Sequence, residues 1–175
     1  MKSHLKLLTH IGVIALISLG ISSSASASSL PSTPASLEVL GSADGKDAAS
    51  ADLIADVNSV ERNEEGNLTS VTWSITNENT NPVVLTWLHD QSYSYSGPYF
   101  SGVTAISGDE GKRFHPVMDG SGKCLCSGNT SQNFSERIIA GKTTTYWSLF
   151  SIPSSVESLT VEIPGFEPIE DIPIS

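Results

Sequence analysis

Alternation of apolar and polar residues dominates the chain from residue 51 onward and predicts β-strands. In the segment 68–76, Val71, Trp73 and Ile75 fall on one side, and hydroxyl-bearing residues fall on the other. This period of two is typical of a half-buried strand. The segment 53–60 is also strand-like, and the intervening residues 63–67 are rich in Asn, Glu and Gly. Such residues favour a turn, so the two segments predict an antiparallel hairpin.

Further short apolar segments continue to the end of the chain. They lie at 83–88, 102–107, 112–117, 134–139, 143–151, 157–163 and 168–174. Strands spaced at about 8–12 residues indicate an antiparallel sandwich or a barrel. The uneven loop lengths favour the sandwich. We therefore predict an all-β, Ig-like antiparallel two-sheet sandwich of about seven to nine strands, with Trp73 and Trp147 in its core.

The N-terminus predicts export. Lys2 and Lys6 precede an apolar run over 7–21, and Ala25-Ser26-Ala27 matches a cleavage site, so we interpret 1–27 as a signal peptide. The strongly apolar part is shorter than the roughly 20 residues of a spanning helix, so no membrane span is expected after cleavage. Residues 28–50 are rich in Ser, Ala and Pro and predict a flexible linker, with the alternative that Leu37, Val39 and Leu40 dock as a short edge strand. The folded domain is then 51–175, in a protein that is secreted, extracellular or associated with the cell wall.

The charge balance excludes one class of partner. The chain has 9 Lys+Arg against 19 Asp+Glu, a net charge of −10, and cleavage after Ala27 would remove two lysines and deepen it to −12. Binding to nucleic acid depends on cations that neutralise phosphates. We therefore expect no nucleic-acid partner.

Cys124-Leu125-Cys126 is the sharpest local feature, and three interpretations are open. In an exported protein the two cysteines most simply form one disulfide, for which a local turn would bring them close enough. The pair would then lock a loop, because so small a ring gains little entropy. Alternatively they form a redox-active or intermolecular pair. The third interpretation is a metal site in which Cys124 and Cys126 act together with His115 and His89.

The segment 91–100 is the best candidate for a binding loop. It alternates tyrosine and serine, and its candidate contact residues are Tyr93, Tyr95, Tyr99 and Phe100. Tyrosine supplies a large contact area at low entropic cost, as in antibody loops. The alternative is that the loop folds over one end of the sandwich and its rings cap the core.

No motif predicts catalysis. The sequence has neither a Gly-x-Ser-x-Gly elbow nor a phosphate-binding glycine fingerprint. His89 and Asp90 are adjacent, and on an extended chain adjacent side chains point to opposite faces. We therefore expect a protein that is not an enzyme and needs no cofactor.

The domain resembles Ig-like β-sandwich modules of exported actinobacterial proteins, some of which precede an OmpA-like peptidoglycan-binding domain. The similarity covers roughly 51–175, and its most specific part is Lys123-Cys124-Leu125-Cys126-Ser127. Its other segments are 55–62, 71–77, 112–119, 146–153 and 161–174. The 175 residues contain no such second domain, so the resemblance does not extend to a cell-wall tether.

The resemblance implies a non-catalytic accessory module and brings no ligand with it. The function that we expect is a secreted binding or accessory module whose partner is a protein or a cell-wall glycan. The alternative is a metal-binding or redox module that uses Cys124, Cys126 and His115.

Overall fold

Ten short strands make up the part of the chain that the computed structural model describes, which is residues 37–89, 95, 97, 99–128, 131–132 and 134–175. In chain order they are β1 (Gly41–Asp44), β2 (Leu53–Arg62), β3 (Leu68–Asn77), β4 (Val83–Val84), β5 (Thr104–Ser107), β6 (Lys112–Phe114), β7 (Arg137–Ile138), β8 (Thr143–Ser151), β9 (Ser158–Glu162) and β10 (Ile169–Pro173). One 3-10 turn lies at Thr86–Leu88. The predicted signal peptide, residues 1–27, lies outside the described residues.

The strands form two antiparallel four-stranded sheets and a small ribbon. The first sheet has the order β1-β2-β3-β8, the second has the order β10-β9-β5-β6, and β4 pairs with β7. In the first sheet, Trp73 of β3 lies opposite Val57 of β2 and Tyr146 of β8. These long registers fix which side chains face inward, because a slip of one residue would turn every side chain to the other face.

The larger apolar cluster of the described residues lies between the two sheets. Val71, Trp73 and Ile75 are fully buried, as their alternation predicted, and they share one cluster with Val161 of β9 and Ile172 of β10. Burying side chains of this kind contributes about 1.5–3 kcal/mol each. The all-β class and the packing of antiparallel sheets against each other are therefore confirmed.

The C-terminal residues close one end of the sandwich. Ser175 donates its amide to the carbonyl of Val60 at 2.9 Å, and the amide of Arg62 donates to the carbonyl of Ser175 at 2.8 Å. The Arg62 guanidinium donates to four main-chain carbonyls, which belong to Gly66, Ile152, Pro153 and Val156. One side chain thereby joins the β2–β3 turn to the β8–β9 connection.

Two boundary predictions are wrong. Residues 41–44 lie within the predicted linker 28–50, yet they form β1, and their compact unit spans Ser36–Ser175. The predicted strand 83–88 pairs only at Val83–Val84 before the chain coils into the 3-10 turn. Across the described ranges, no helix has the length and apolar character that crossing a membrane requires.

Candidate functional site

Of the segment 91–100 that we predicted as a candidate binding loop, the structure describes Tyr95, Gly97, Tyr99 and Phe100, and the last two are buried. Tyr99 is 1% exposed and Phe100 is fully buried, and Tyr95 is half-buried with its hydroxyl donating to the carbonyl of Pro116 at 2.7 Å. The Phe100 ring lies 4.9 Å from the ring of Tyr146. Tyr99 and Phe100 are therefore not available as contact residues of a binding loop, and they follow the alternative interpretation, in which the rings pack into the core and are stabilised by burial. Tyr93 lies outside the described residues.

Cys124 and Cys126 lie at disulfide bonding distance. Their sulfur atoms are 2.08 Å apart and their Cα atoms are 5.3 Å apart, within the range that a disulfide needs. The chain turns just before Cys124, at Asp119, whose carboxylate accepts hydrogen bonds from the amides of Ser121 and Lys123, and Met118 pairs with Cys124 in a short hairpin. The hydrogen bond from the Lys123 amide holds the pKa of Asp119 below its usual value.

The two cysteines pack inside the protein. They are 4% and 2% exposed and form a second apolar cluster with Tyr99. A side chain at Gly128 would place its Cβ 1.9 Å from the Tyr99 ring, so only glycine allows this close approach. The amide of Ser127 donates to the carbonyl of Trp147 at 2.8 Å and joins the segment to the edge of β8. These contacts favour a structural disulfide that fixes the hairpin locally, with both cysteines packed inside the protein.

The residues of the alternative metal site do not lie together. Within the described ranges, no group of three or more His, Cys, Asp and Glu side chains is placed to hold a metal ion. Cys124 and Cys126 are bonded to each other, His89 lies 3.4 Å from the Glu136 carboxylate, and His115 lines a separate cleft. In the described structure, Cys124, Cys126, His115 and His89 are therefore not gathered into one site, and the two sulfur atoms that such a set requires are joined to each other.

The cleft that His115 lines is a concave site with several charged residues in its lining. Its volume is about 360 Å³, within the usual range of ligand pockets. Charged and polar side chains come from four segments: Lys46 from the β1–β2 connection, Thr104 from β5, Arg113 from β6 and Glu162 from β9. We call this site the Arg113 cleft.

An ion pair between Arg113 and Glu162 lies in the lining of the Arg113 cleft. Nη1 of Arg113 donates to Oγ1 of Thr104 at 2.6 Å and to the carboxylate of Glu162. The hydrogen bond from Arg113 lowers the pKa of Glu162, and that from Glu162 raises the pKa of Arg113. Lys46 also lowers the pKa of Glu162 through its charge, so both cations act on the same carboxylate.

The wall of the cleft is held in place from behind. Gly165 lines the cleft with φ of +86°, and its carbonyl accepts hydrogen bonds from the amide of Lys46 at 2.8 Å and from the Ser50 hydroxyl at 2.5 Å. A Cβ at Gly165 would lie 3.2 Å from the indole nitrogen of Trp87. The main chain at Gly165 therefore packs directly against Ser50 and Trp87. The wall of the cleft is thus largely formed before a ligand binds.

We predicted that Trp147 lies in the core, and this is wrong. Trp147 lies on the outer face of the first sheet, where it is 38% exposed. Its neighbour Tyr146 faces inward with its ring 4.7 Å from that of Trp73 and its hydroxyl donating to the carbonyl of Ser135. Adjacent strand residues point to opposite faces, so only one of the two aromatic side chains could be buried.

Sequence reasoning found only His115 among the residues that line the cleft. Lys46, Thr104, Arg113 and Glu162 come from distant segments and share no motif. The sequence offered one weak signal for the cleft. Lys112 and Arg113 are adjacent cations in an acidic chain, and they lie in a strand-like segment, one face of which is expected to be exposed to solvent.

Comparisons with known proteins give no function. No protein-family model matches the chain, and no curated protein matches it. Among solved structures, the chain is similar to the crystal structure of a functionally unknown protein from Listeria monocytogenes EGD-e. The sequence identity is 12%, the TM-score is 0.41, and the match covers 78% of this chain and 85% of that chain.

Proposed function

We propose that the protein is a secreted, non-catalytic module that binds a cell-surface glycan in the Arg113 cleft. The observation that carries the proposal is the gathering of Lys46, Thr104, Arg113 and Glu162 around one concave site. Convergent polar groups in a preformed cleft are the usual basis of small-ligand recognition. The predicted signal peptide and the resemblance to exported modules support the location.

A glycan fits this site better than a protein partner does. The cleft has a volume of about 360 Å³ and combines hydroxyl, guanidinium and ammonium groups with proline and glycine in its wall. A protein interface usually needs about 800 Å² of surface on each partner, with aromatic anchors at its centre. Tyr99 and Phe100, the aromatic residues of the predicted binding loop, are buried and cannot act as such anchors.

The redox alternative has less support. Reduction of the disulfide would need a reagent to reach Cys124 and Cys126, and both are almost fully buried. A redox-active pair normally lies in a partly exposed site. The packing against Tyr99 therefore favours a structural role.

Sedimentation with insoluble cell-wall polysaccharide tests the proposal. Pro168 is exposed at the rim of the cleft, so Pro168→Trp should block it without disturbing the core. Pro82 is also exposed and does not line the cleft, so Pro82→Trp is the matched control. We expect the natural protein and the control to sediment and Pro168→Trp to remain soluble. Equal sedimentation of the two variants would refute the assignment of the cleft.

A further inference from the structure

The Arg113 cleft is locally positive in an acidic protein. Its charged lining residues are two cations, Lys46 and Arg113, and one carboxylate, Glu162, whereas the whole chain carries a net charge of −10. Local complementarity of charge is what selects a ligand group at such a site. The excess of one positive charge matches one negative group on the ligand.

Both cations keep hydrogen-bonding capacity. Arg113 makes its two side-chain hydrogen bonds from Nη1, and its Nη2 donates to none of the residues that the structure describes. Within the same described part, the Lys46 ammonium forms no ion pair and no side-chain hydrogen bond. Because the guanidinium is planar and rigid, holding it at Nη1 also fixes the orientation of the donors on Nη2.

We propose that the Arg113 cleft recognises a single carboxylate on its glycan ligand, a uronic acid unit, through Nη2 of Arg113 and the ammonium of Lys46. This inference rests on the proposed function and specifies its ligand class. A densely charged polyanion fits less well, because the rest of the surface is acidic and repels it. One carboxylate in an otherwise neutral glycan meets the local charge without that repulsion.

Glu162 has a defined part in this recognition. Its carboxylate holds Arg113 in position, and it also competes with a ligand carboxylate for the same cations. Removing its charge should therefore strengthen the binding of an anion, whereas removing Arg113 should weaken it. A cleft that instead recognised a cationic group would respond to these two substitutions in the opposite directions.

An NMR titration of the full-length secreted protein with sodium D-glucuronate tests the inference, with D-glucose and D-glucuronamide as neutral probes. We expect glucuronate to bind at least about tenfold more tightly than either neutral sugar, the scale of one charge-assisted contact. Arg113→Met should lose about that factor, and Glu162→Gln should tighten binding severalfold. Lys112→Met, on the same strand but outside the cleft lining, should leave the affinity unchanged.

Three results would overturn the inference: equal affinity for glucuronate and glucuronamide, weaker binding in Glu162→Gln, or the same loss in Lys112→Met as in Arg113→Met. Its failure is distinguishable from failure of the proposed function. If Pro168→Trp still abolishes sedimentation while Arg113→Met does not, the cleft binds a glycan but does not recognise a carboxylate on it. If neither substitution affects sedimentation, both proposals fail.

Discussion

Arg62 provides the sharpest test of how the sandwich is held together. Nη1 donates to the carbonyls of Gly66, Ile152 and Pro153 at 3.2, 2.9 and 3.1 Å, and Nη2 donates to the carbonyl of Val156 at 2.6 Å. Arg62→Met keeps most of the aliphatic stem but removes every one of these donors. The four carbonyls would then have to find water or remain without this partner.

The expected loss follows from the geometry. A hydrogen bond to a charged group contributes about 1.5–3 kcal/mol. The three acceptors on Nη1 share two hydrogens, and the site is only half-buried, so we count about one effective bond for each nitrogen at the low end of that range. The total is about 3 kcal/mol, which corresponds to a fall of roughly 10 °C in Tm for a domain of this size. Arg62→Lys keeps one donor group and should lose about half as much.

Thermal and urea denaturation, followed by circular dichroism, measure this effect. Arg137→Met is the matched control, because Arg137 is exposed and its side chain makes no hydrogen bond or ion pair within the described residues. The control should change stability by less than about 0.5 kcal/mol. If Arg62→Met and Arg137→Met melt together, the four carbonyl contacts contribute nothing, and the role that we assign to Arg62 is wrong.

Three further predictions concern the hairpin and the cleft. Gly128→Ala should cost about 1–3 kcal/mol by overpacking a tyrosine ring, whereas Gly120→Ala, with nothing within 4 Å, should be nearly neutral; equal melting temperatures would refute the close approach. Replacing Cys124 and Cys126 together by alanine should speed amide exchange in their hairpin more than in the strands, because the ring is small; a uniform rise across the domain would contradict a local role. Folding lowers the pKa of Glu162 from 4.5, so its contribution to stability is present above that value and is lost as the pH falls through the lowered pKa. Glu162→Gln should therefore be less stable than the natural protein by up to about 1 kcal/mol at pH 6, and the gap should close in acid; a constant gap down to pH ~2 would contradict this linkage.

The long central strands were predictable because one face of each is buried. The alternation in 68–76 placed β3 to within one residue of Leu68–Asn77, and the apolar run 143–151 coincides with β8. In contrast, β1 has the sequence Gly-Ser-Ala-Asp, with no strand-forming residue. It is a strand because its main chain pairs with β2, and a pairing between distant segments leaves no local pattern.

The site was less predictable than the fold for the same reason. Lys46 and Glu162 are separated by more than one hundred residues in sequence, and only the sheet order brings them to one cleft. Tyr99 and Phe100 lie in a segment whose composition is typical of binding loops, but their rings are buried inside the protein. Composition shows what a side chain can do, and the packing around it decides whether a ligand can reach it.

The most direct test of the central claim is to map the binding surface by amide chemical-shift changes upon addition of solubilised cell-wall glycan fragments. If the Arg113 cleft binds the glycan, the largest changes should fall on Lys46, Thr104 and Gly165, and Pro168→Trp should abolish them. Changes centred instead on Thr145 and Trp147, on the exposed outer face of the first sheet, would contradict the account.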